Sequence, residues 1–585
     1  MVDNFVNLLT QRLPQLLIQE AIYLVGVEDQ VISFEKQLKR INAFLEESKK
    51  KREDHEFMME VVRQIRDVAA RGEDVIDLYI YYKAEQKRRN FAWKTFNFIK
   101  YRNRLHDIGK EIENINLEIE KIYKDKEKHD NEKCEEEARM EARVVKALHN
   151  RRKNVEEEDV VGFVHDSTIL VKQLTTKKQG QLDVSSIFGM GGLGKTTLAK
   201  KVYNKEEMFF KVCKGPEHNS TDRTRRLSIF CSADEYILSN PSDGSCARSL
   251  LFFGQNSHVF NDDNWKWVLK NFKLVRVLNF GRTRFDCISN DIEQLIHLRY
   301  LRIKSRDRNV ILPSICNLWN LETLDARGCT LKCLPIEIWK LQHLRNLYLS
   351  GPVSFPEPSD TDNISLRKLQ VLSTIMVDLQ TASLMTEGKL PNIRKLGICY
   401  SGLNNRKLRG GFAVITPEWK PQEVLRCLRR LRHLQVLKVI DCSEFPTRVQ
   451  SFPLEITKIT LLRVRLNGMA VLGMLPKLRI LKIQDCSFNQ TPYALAGWFR
   501  QLEVIELDKF QIKNWIGAMP SLKHLIIKKN KILTILPEES CKMTSLQDVE
   551  LLCTNIQLVQ RDKMVDRLMS ITGGSRVLML NDLKE

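Results

Sequence analysis

Gly189, Met190, Gly191, Gly192, Leu193, Gly194, Lys195, Thr196 and Thr197 read GMGGLGKTT, and their types are those of a loop that holds phosphate. The pattern G-x-x-x-x-G-K-[ST] lets successive backbone N–H groups converge on phosphate oxygens at a helix N-terminus. In it the Lys195 ammonium reaches the outer phosphates of a nucleotide, and the Thr196 hydroxyl is a ligand for Mg²⁺. The flanks suit the loop: LDVSSIF (182–188) is a short strand-like run, and TTLAKKVYN (196–204) has helix-forming composition.

Phosphoryl transfer needs more than this loop. An aspartate must close a second strand to hold the metal, and a further group must position the attacking water. Between Asn204 and the first repeat near Val275 too little chain remains for the rest of a multistranded nucleotide domain. The nearest imitation of the second strand, LSIFCSAD (227–234), places Asp234 after two small polar residues rather than at the end of its apolar run. Weak or absent nucleotide binding and no useful hydrolysis are therefore expected.

The elements around the loop follow from composition and period. With 585 residues, 43% hydrophobic and 28% charged, the chain should form several globular units. No run approaches the ~18 apolar residues of a membrane span. The opening MVDNFVNLLTQRLPQLL lacks the basic start and unbroken apolar block of a secretory signal, so an intracellular location is expected. The 14 cysteines show no CxxC pair, which suggests neither a disulfide framework nor a zinc site. A net charge of +20 permits nucleic-acid, membrane-surface or acidic-protein partners without selecting one.

Residues 1–130 space their apolar side chains by three and four, which predicts helices near 3–24, 29–48, 56–88 and 103–128 in an antiparallel bundle. Pro14 should kink or delay the first. Residues 131–159 are dense in both charges and read as a solvated helix or a linker. From about Val275 to the end, L-x-x-L-x-L cores recur mostly every ~20–25 residues, as in HLRYLRI (297–303), HLRNLYL (343–349) and KLRILKI (477–483). One strand per repeat, with its leucines in a shared core, stacks into a curved solenoid. Cys329, Cys442 and Cys486 fall at the turn position of their repeats and should pack there. Arg276, Arg299, Arg345, Arg394 and Arg479 follow the first core position, so they should align as a column on one side of the solenoid.

Taken together, these features resemble the plant coiled-coil, nucleotide-binding, leucine-rich-repeat resistance proteins of the late-blight and downy-mildew kind. The carriers are the opening helix, the EDVID motif at Glu73, Asp74, Val75, Ile76 and Asp77, VVGF at Val160 followed by the phosphate loop, and RRLSIF at Arg225. The resemblance implies a four-helix coiled-coil bundle over 1–130, a linker at 131–159 and a partial P-loop module at 160–222. A lead-in at 223–274 and a leucine-rich-repeat solenoid at 275–585 complete an α plus α/β multidomain fold. The family's GLPL-like and MHD-like segments are absent from this sequence, so most of its nucleotide switch is missing.

The implied function is pathogen recognition and defence signalling, with ADP or ATP and Mg²⁺ as ligands of the loop. The implied partners are a pathogen effector or a guarded host protein, and further copies through the bundle. The acids Glu73, Asp74 and Asp77 would contact repeat-domain arginines, Arg276, Arg299 and Arg345 among them. A nucleotide-independent adaptor or decoy is the alternative. The expected location is cytoplasmic, with peripheral contact at the plasma membrane left open.

Two basic regions remain. Lys87–Arg104 interleaves basic and aromatic residues, which suits either an anionic surface or a helix connection packed on the bundle; nucleic acid is not expected as a partner. On the inner strand face Tyr300, Arg302, Lys304, Lys438, Lys482 and Lys528 should project outward, either as a surface for an acidic protein or as ordinary solvated positions.

Overall fold

A computed structural model describes residues 32–41 except 35, 55–88, 98–140, 210–213, 224–239, 246–254 and most of 260–304. It also describes most of 313–358, then 364–400, 426–488, 498–509, 519–528, 545–552 and 577–579. The phosphate loop at 189–197, the strand expected at 182–188, the helix at 3–24 and most of that at 29–48 lie outside the described residues.

Two long helices, α1 (His55–Arg88) and α2 (Phe98–Met140), carry the bundle. Ile65, Val68, Ala69, Ile76 and Ile80 of α1 recur at helical spacing and are buried, as are Ile108, Ile112, Ile115, Ile119 and Ile122 of α2. These stripes share one core with Phe34, Leu38 and Ile41. Arg71 ties the helices through Glu118 at 2.7 Å and Glu111 at 3.3 Å. The helix expected at 103–128 begins at Phe98 and runs to Met140. EKCEEEARM, at its end, is made mostly of good helix formers and contains neither glycine nor proline, so nothing stops it at residue 128.

The solenoid is a single parallel sheet. Its first strands are β1 (Phe210–Cys213), β2 (Arg226–Ile229), β3 (Ser249–Phe252), β4 (Val277–Asn279), β5 (Tyr300–Arg302), β6 (Thr323–Ala326) and β7 (Asn346–Leu349). It continues through β8 (Val371–Met376), β9 (Lys395–Cys399), β10 (Val436–Ile440) and β11 (Lys458–Leu462). β12 (Arg465–Leu466) and β14 (Ser487–Phe488) pair apart from it. β13 (Ile480–Gln484), β15 (Val504–Asp508), β16 (His524–Lys528), β17 (Asp548–Leu552) and β18 (Val577–Met579) complete it, every strand beside its chain neighbour in the order.

The repeat motif explains the register. In most repeats the second and fourth strand positions are buried aliphatic residues, such as Leu301 with Ile303 and Leu481 with Ile483, and they stack rung upon rung into one continuous core. β1 to β3 precede Val275 because RLSI and SLLF carry the same alternation. Around them the core is aromatic: Phe252 stacks on Phe280 at 5.4 Å, and Phe260 and Trp265 meet Phe280 edge-on. Helix α3 (Ala233–Ser239) and the capped helix α4 (Asp262–Asn271) belong to this end.

Candidate functional site

One backbone ladder runs beside the strands. Arg248 N–H bonds to Arg225 O, Arg276 to Arg248 and Arg299 to Arg276, followed by Glu322 and Arg345, each at 2.7–2.8 Å. Parallel rungs lie about 4.8 Å apart, so four arginines stand in file at a spacing that repels like charges. The opposing charge comes from α1. Ala70, Glu73, Asp74 and Asp77 lie within two helical turns, and ~1.5 Å of rise per residue puts Glu73 and Asp77 about 6 Å apart on one face.

Acids and arginines meet in a seam. Arg225 pairs with Asp74 and donates to Ala70 O at 2.6 Å. Arg248 Nη2 donates to Asp74 Oδ1 at 2.7 Å and lies 2.9 Å from Asp77 Oδ2. Arg276 Nη2 donates to Glu73 Oε1 at 2.7 Å and pairs with Asp77. Asp77 is 1% exposed, so its charge depends on these partners. His297 Nε2 lies 2.9 Å from Asp77 O, and since a carbonyl only accepts, Nε2 carries the proton.

The electrostatics follow from burial. Burial raises Asp74 above the usual carboxylate range against the pull of Arg225 and Arg248. It lowers Arg248 below its ordinary value, with Asp77 opposing. For Arg276 burial also works against the charge, but Asp77 and Glu73 outweigh it and hold the pKa above the ordinary value. His297 is pushed down to about 4, mainly by burial. Its imidazole is therefore neutral at pH 7.

Apolar and aromatic contacts extend the seam. Ile296 of the solenoid belongs to the bundle core, and Lys273 Nζ lies 5.5 Å and 5.2 Å from the ring centroids of Tyr81 and Tyr82.

Arg276 thus meets the acids, whereas Arg299 and Arg345 lie 3.5 Å and 3.6 Å from Glu322 inside the solenoid. The pattern differs from the expectation because Glu322 occupies its own rung of the column and serves both neighbours. Sequence reasoning passed over Arg225 and Arg248. RRLSIF was in view as a lead-in, but counting the column from its strand would have found both. Asp234, considered above for a metal, accepts a 2.8 Å hydrogen bond from Asn264 and so joins α3 to α4. Among the described residues no group of three acidic, histidine or cysteine side chains could hold a metal. Cys329 and Cys442 are buried and bond to Ile303 O and Glu444 O, as turn packing requires. In Lys87–Arg104, Phe98 and Ile99 are exposed, while Lys83 lies over the Tyr101 ring. Among the described residues no helix is long and apolar enough to cross a membrane.

Comparison with known families fits this geometry. Residues 5–104 match the Rx N-terminal domain, 166–212 the NB-ARC domain and 247–560 the leucine-rich repeat region. The late blight resistance protein R1-A of Solanum demissum is 29% identical over 351 residues, 56% of this chain and 24% of that protein. The ToMV resistant protein Tm-2 netted virescent of Solanum lycopersicum is 28% identical, covering 55% of this chain and 41% of its own length. The disease resistance protein RPP13 of Arabidopsis thaliana is 28% identical over 36% of this chain and 25% of its own. The chain thus spans less than half the length of these relatives, and only a short part of the nucleotide-binding domain is matched. With these three regions in this order, the chain belongs to the coiled-coil, nucleotide-binding, leucine-rich-repeat family of plant resistance proteins.

Proposed function

We infer that the chain is an intracellular plant immune receptor, in which the helical bundle signals and the repeats recognise a pathogen-derived protein or a host protein that it guards. The observation that carries this reading is the seam: three acids of α1 are held against three arginines of the solenoid's first rungs. A partner that strains the solenoid would loosen this clamp and free the bundle to associate with other copies, because a ligand favours the state it binds better. The relatives are named as resistance proteins, which does not favour the adaptor or decoy reading.

Lys195 and Thr196 are the residues that would take the phosphates of ADP or ATP and Mg²⁺. The short NB-ARC match supports weak affinity at most. Calorimetry of the full chain against ADP, with Lys195→Ala as control, checks this; sub-micromolar affinity that the substitution abolishes would contradict it.

The function itself is tested by transient expression in leaves. Arg248→Glu with Arg276→Glu should provoke cell death that the wild-type chain does not, and lysines at Glu73 and Asp77 should suppress it in the same chain. If no variant alters cell death or pathogen growth although each accumulates, the receptor reading fails.

A further inference from the structure

Farther along the solenoid, four neighbouring strands present lysines on the exposed face. Lys395 of β9 and Lys458 of β11 occupy the first strand position, with Val436 between them; Lys438 of β10 and Lys482 of β13 occupy the third, with Thr460 between them. The buried leucine and isoleucine positions alternate with these, so all four lysines stand on one side of the sheet, across four rungs or about 14 Å. Lys482 pairs with Glu506, which also takes Lys528 at 2.6 Å, so one carboxylate serves two ammonium groups. Among the described residues none forms an ion pair with Lys395, Lys438 or Lys458. The acid nearest in sequence to β10, Asp441, is taken by Arg463. Burial lowers the Lys458 pKa, and the charges of Lys482 and Lys395 lower it further against a smaller pull from Glu506, so the cluster carries its own repulsion.

The strands also define what does not fit. KLGIC, VLKVI, KITLL and ILKIQ contain no aromatic ring on which a base could stack and no arginine whose planar fork would grip a phosphate. Between the lysines they offer half-buried aliphatic side chains, Val436 and Ile480. Point charges separated by apolar contacts suit carboxylates carried on a polypeptide.

We propose that this face is a binding site for an acidic polypeptide segment that alternates carboxylate and aliphatic side chains, seated on Lys395, Lys438, Lys458 and Lys482. The proposal rests on reading the solenoid as the recognition surface of the receptor. Binding neutralises Lys395, Lys438 and Lys458, which form no ion pair among the described residues, and it weakens as salt screens the charges. The segment lies across the strands, so carboxylates on one of its sides reach successive rungs.

The test uses the full chain and a fluorescent peptide of alternating glutamate and valine, read by anisotropy at low and physiological salt. Its glutamine analogue, inositol hexakisphosphate and single-stranded RNA serve as comparisons. The acidic peptide should bind, the analogue should not, and Lys438→Glu with Lys458→Glu should reduce affinity at least tenfold. Lys438→Gln with Lys458→Gln should reduce it less, and arginine at both positions should retain it. These exposed or half-exposed positions can change charge without emptying the core, and unchanged circular dichroism checks that the variants fold. Absence of peptide binding, affinity unchanged in the glutamate variants, or equal competition by RNA or inositol hexakisphosphate overturns the proposal. If it falls while seam variants still trigger cell death, the acidic segment is wrong and the receptor reading stands.

Discussion

Arg276 Nη2 donates to Glu73 Oε1 at 2.7 Å across 203 positions of chain, joining the solenoid's fourth rung to the middle of a bundle helix. The same guanidinium pairs with Asp77, which is 1% exposed and also faces Arg248. Removing one partner of a buried pair leaves the other charge without compensation, at a cost of about 3–5 kcal/mol. Asp77→Ala should therefore lower the free energy of unfolding by that order, seen as a lower denaturant midpoint. Arg299→Ala, whose side chain is 45% exposed and 3.5 Å from Glu322, should cost under about 1 kcal/mol. Denaturant melts of the two variants compare them directly.

The seam should also weaken in acid. The pKa of His297 is depressed from its ordinary 6.5 to about 4, so its contribution is fully present above pH 6.5 and is lost as pH falls through 4. Asp74 acts in the opposite sense, because its raised pKa means that protonation relieves a burial cost. Hydrogen exchange of α1 between pH 7 and pH 4, corrected for intrinsic rates, should show the loss, and His297→Gln should flatten the slope between 6.5 and 4.

How much of this was legible in sequence differs between the partners. The L-x-x-L-x-L spacing announced the sheet, and α1 was expected to within one residue of where it lies. The acids were visible through their motif. Arg225 and Arg248 were not, because the step from the strand at 249 to that at 277 is longer than the period of the later repeats, and the core there is partly aromatic. His297 was hidden for another reason: its partner is a backbone carbonyl, which leaves no trace in side-chain pattern. Four residues that close strands, Asp441, Arg463, Asp485 and Lys509, adopt φ of 50–54° without being glycine; the aspartates are of a type that tolerates it, but nothing in Arg463 or Lys509 marked the place.

Lys509 is exposed at φ 50°, and its N–H bonds to Lys528 O on the next rung. Lys509→Gly should relieve the left-handed strain and stabilise the solenoid by up to about 1 kcal/mol. Gly397→Ala should do the reverse, by about 1–3 kcal/mol, since its methyl would stand 2.7 Å from Thr374 N. Thermal melts of both single variants decide.

Thiol chemistry should follow burial. Burial pushes Cys316 and Cys442 up to about 12, whereas Cys333 is exposed. Iodoacetamide at pH 8 should label Cys333 in the folded chain, and Cys316 and Cys442 only after denaturation. Mass mapping of the labelled peptides would show a failure as early modification of Cys442.

The central claim, that charge holds the bundle on the solenoid, is met most directly by exchanging the charges within the full chain. Hydrogen exchange of α1 is compared for the wild type, Glu73→Lys with Asp77→Lys, Arg248→Glu with Arg276→Glu, and all four together. Each pair alone should reduce protection by about a hundredfold or more, as a loss of about 3 kcal/mol requires, and the fourfold exchange should restore much of it. Protection unchanged in the pairs, or no recovery in the fourfold chain, would contradict the account.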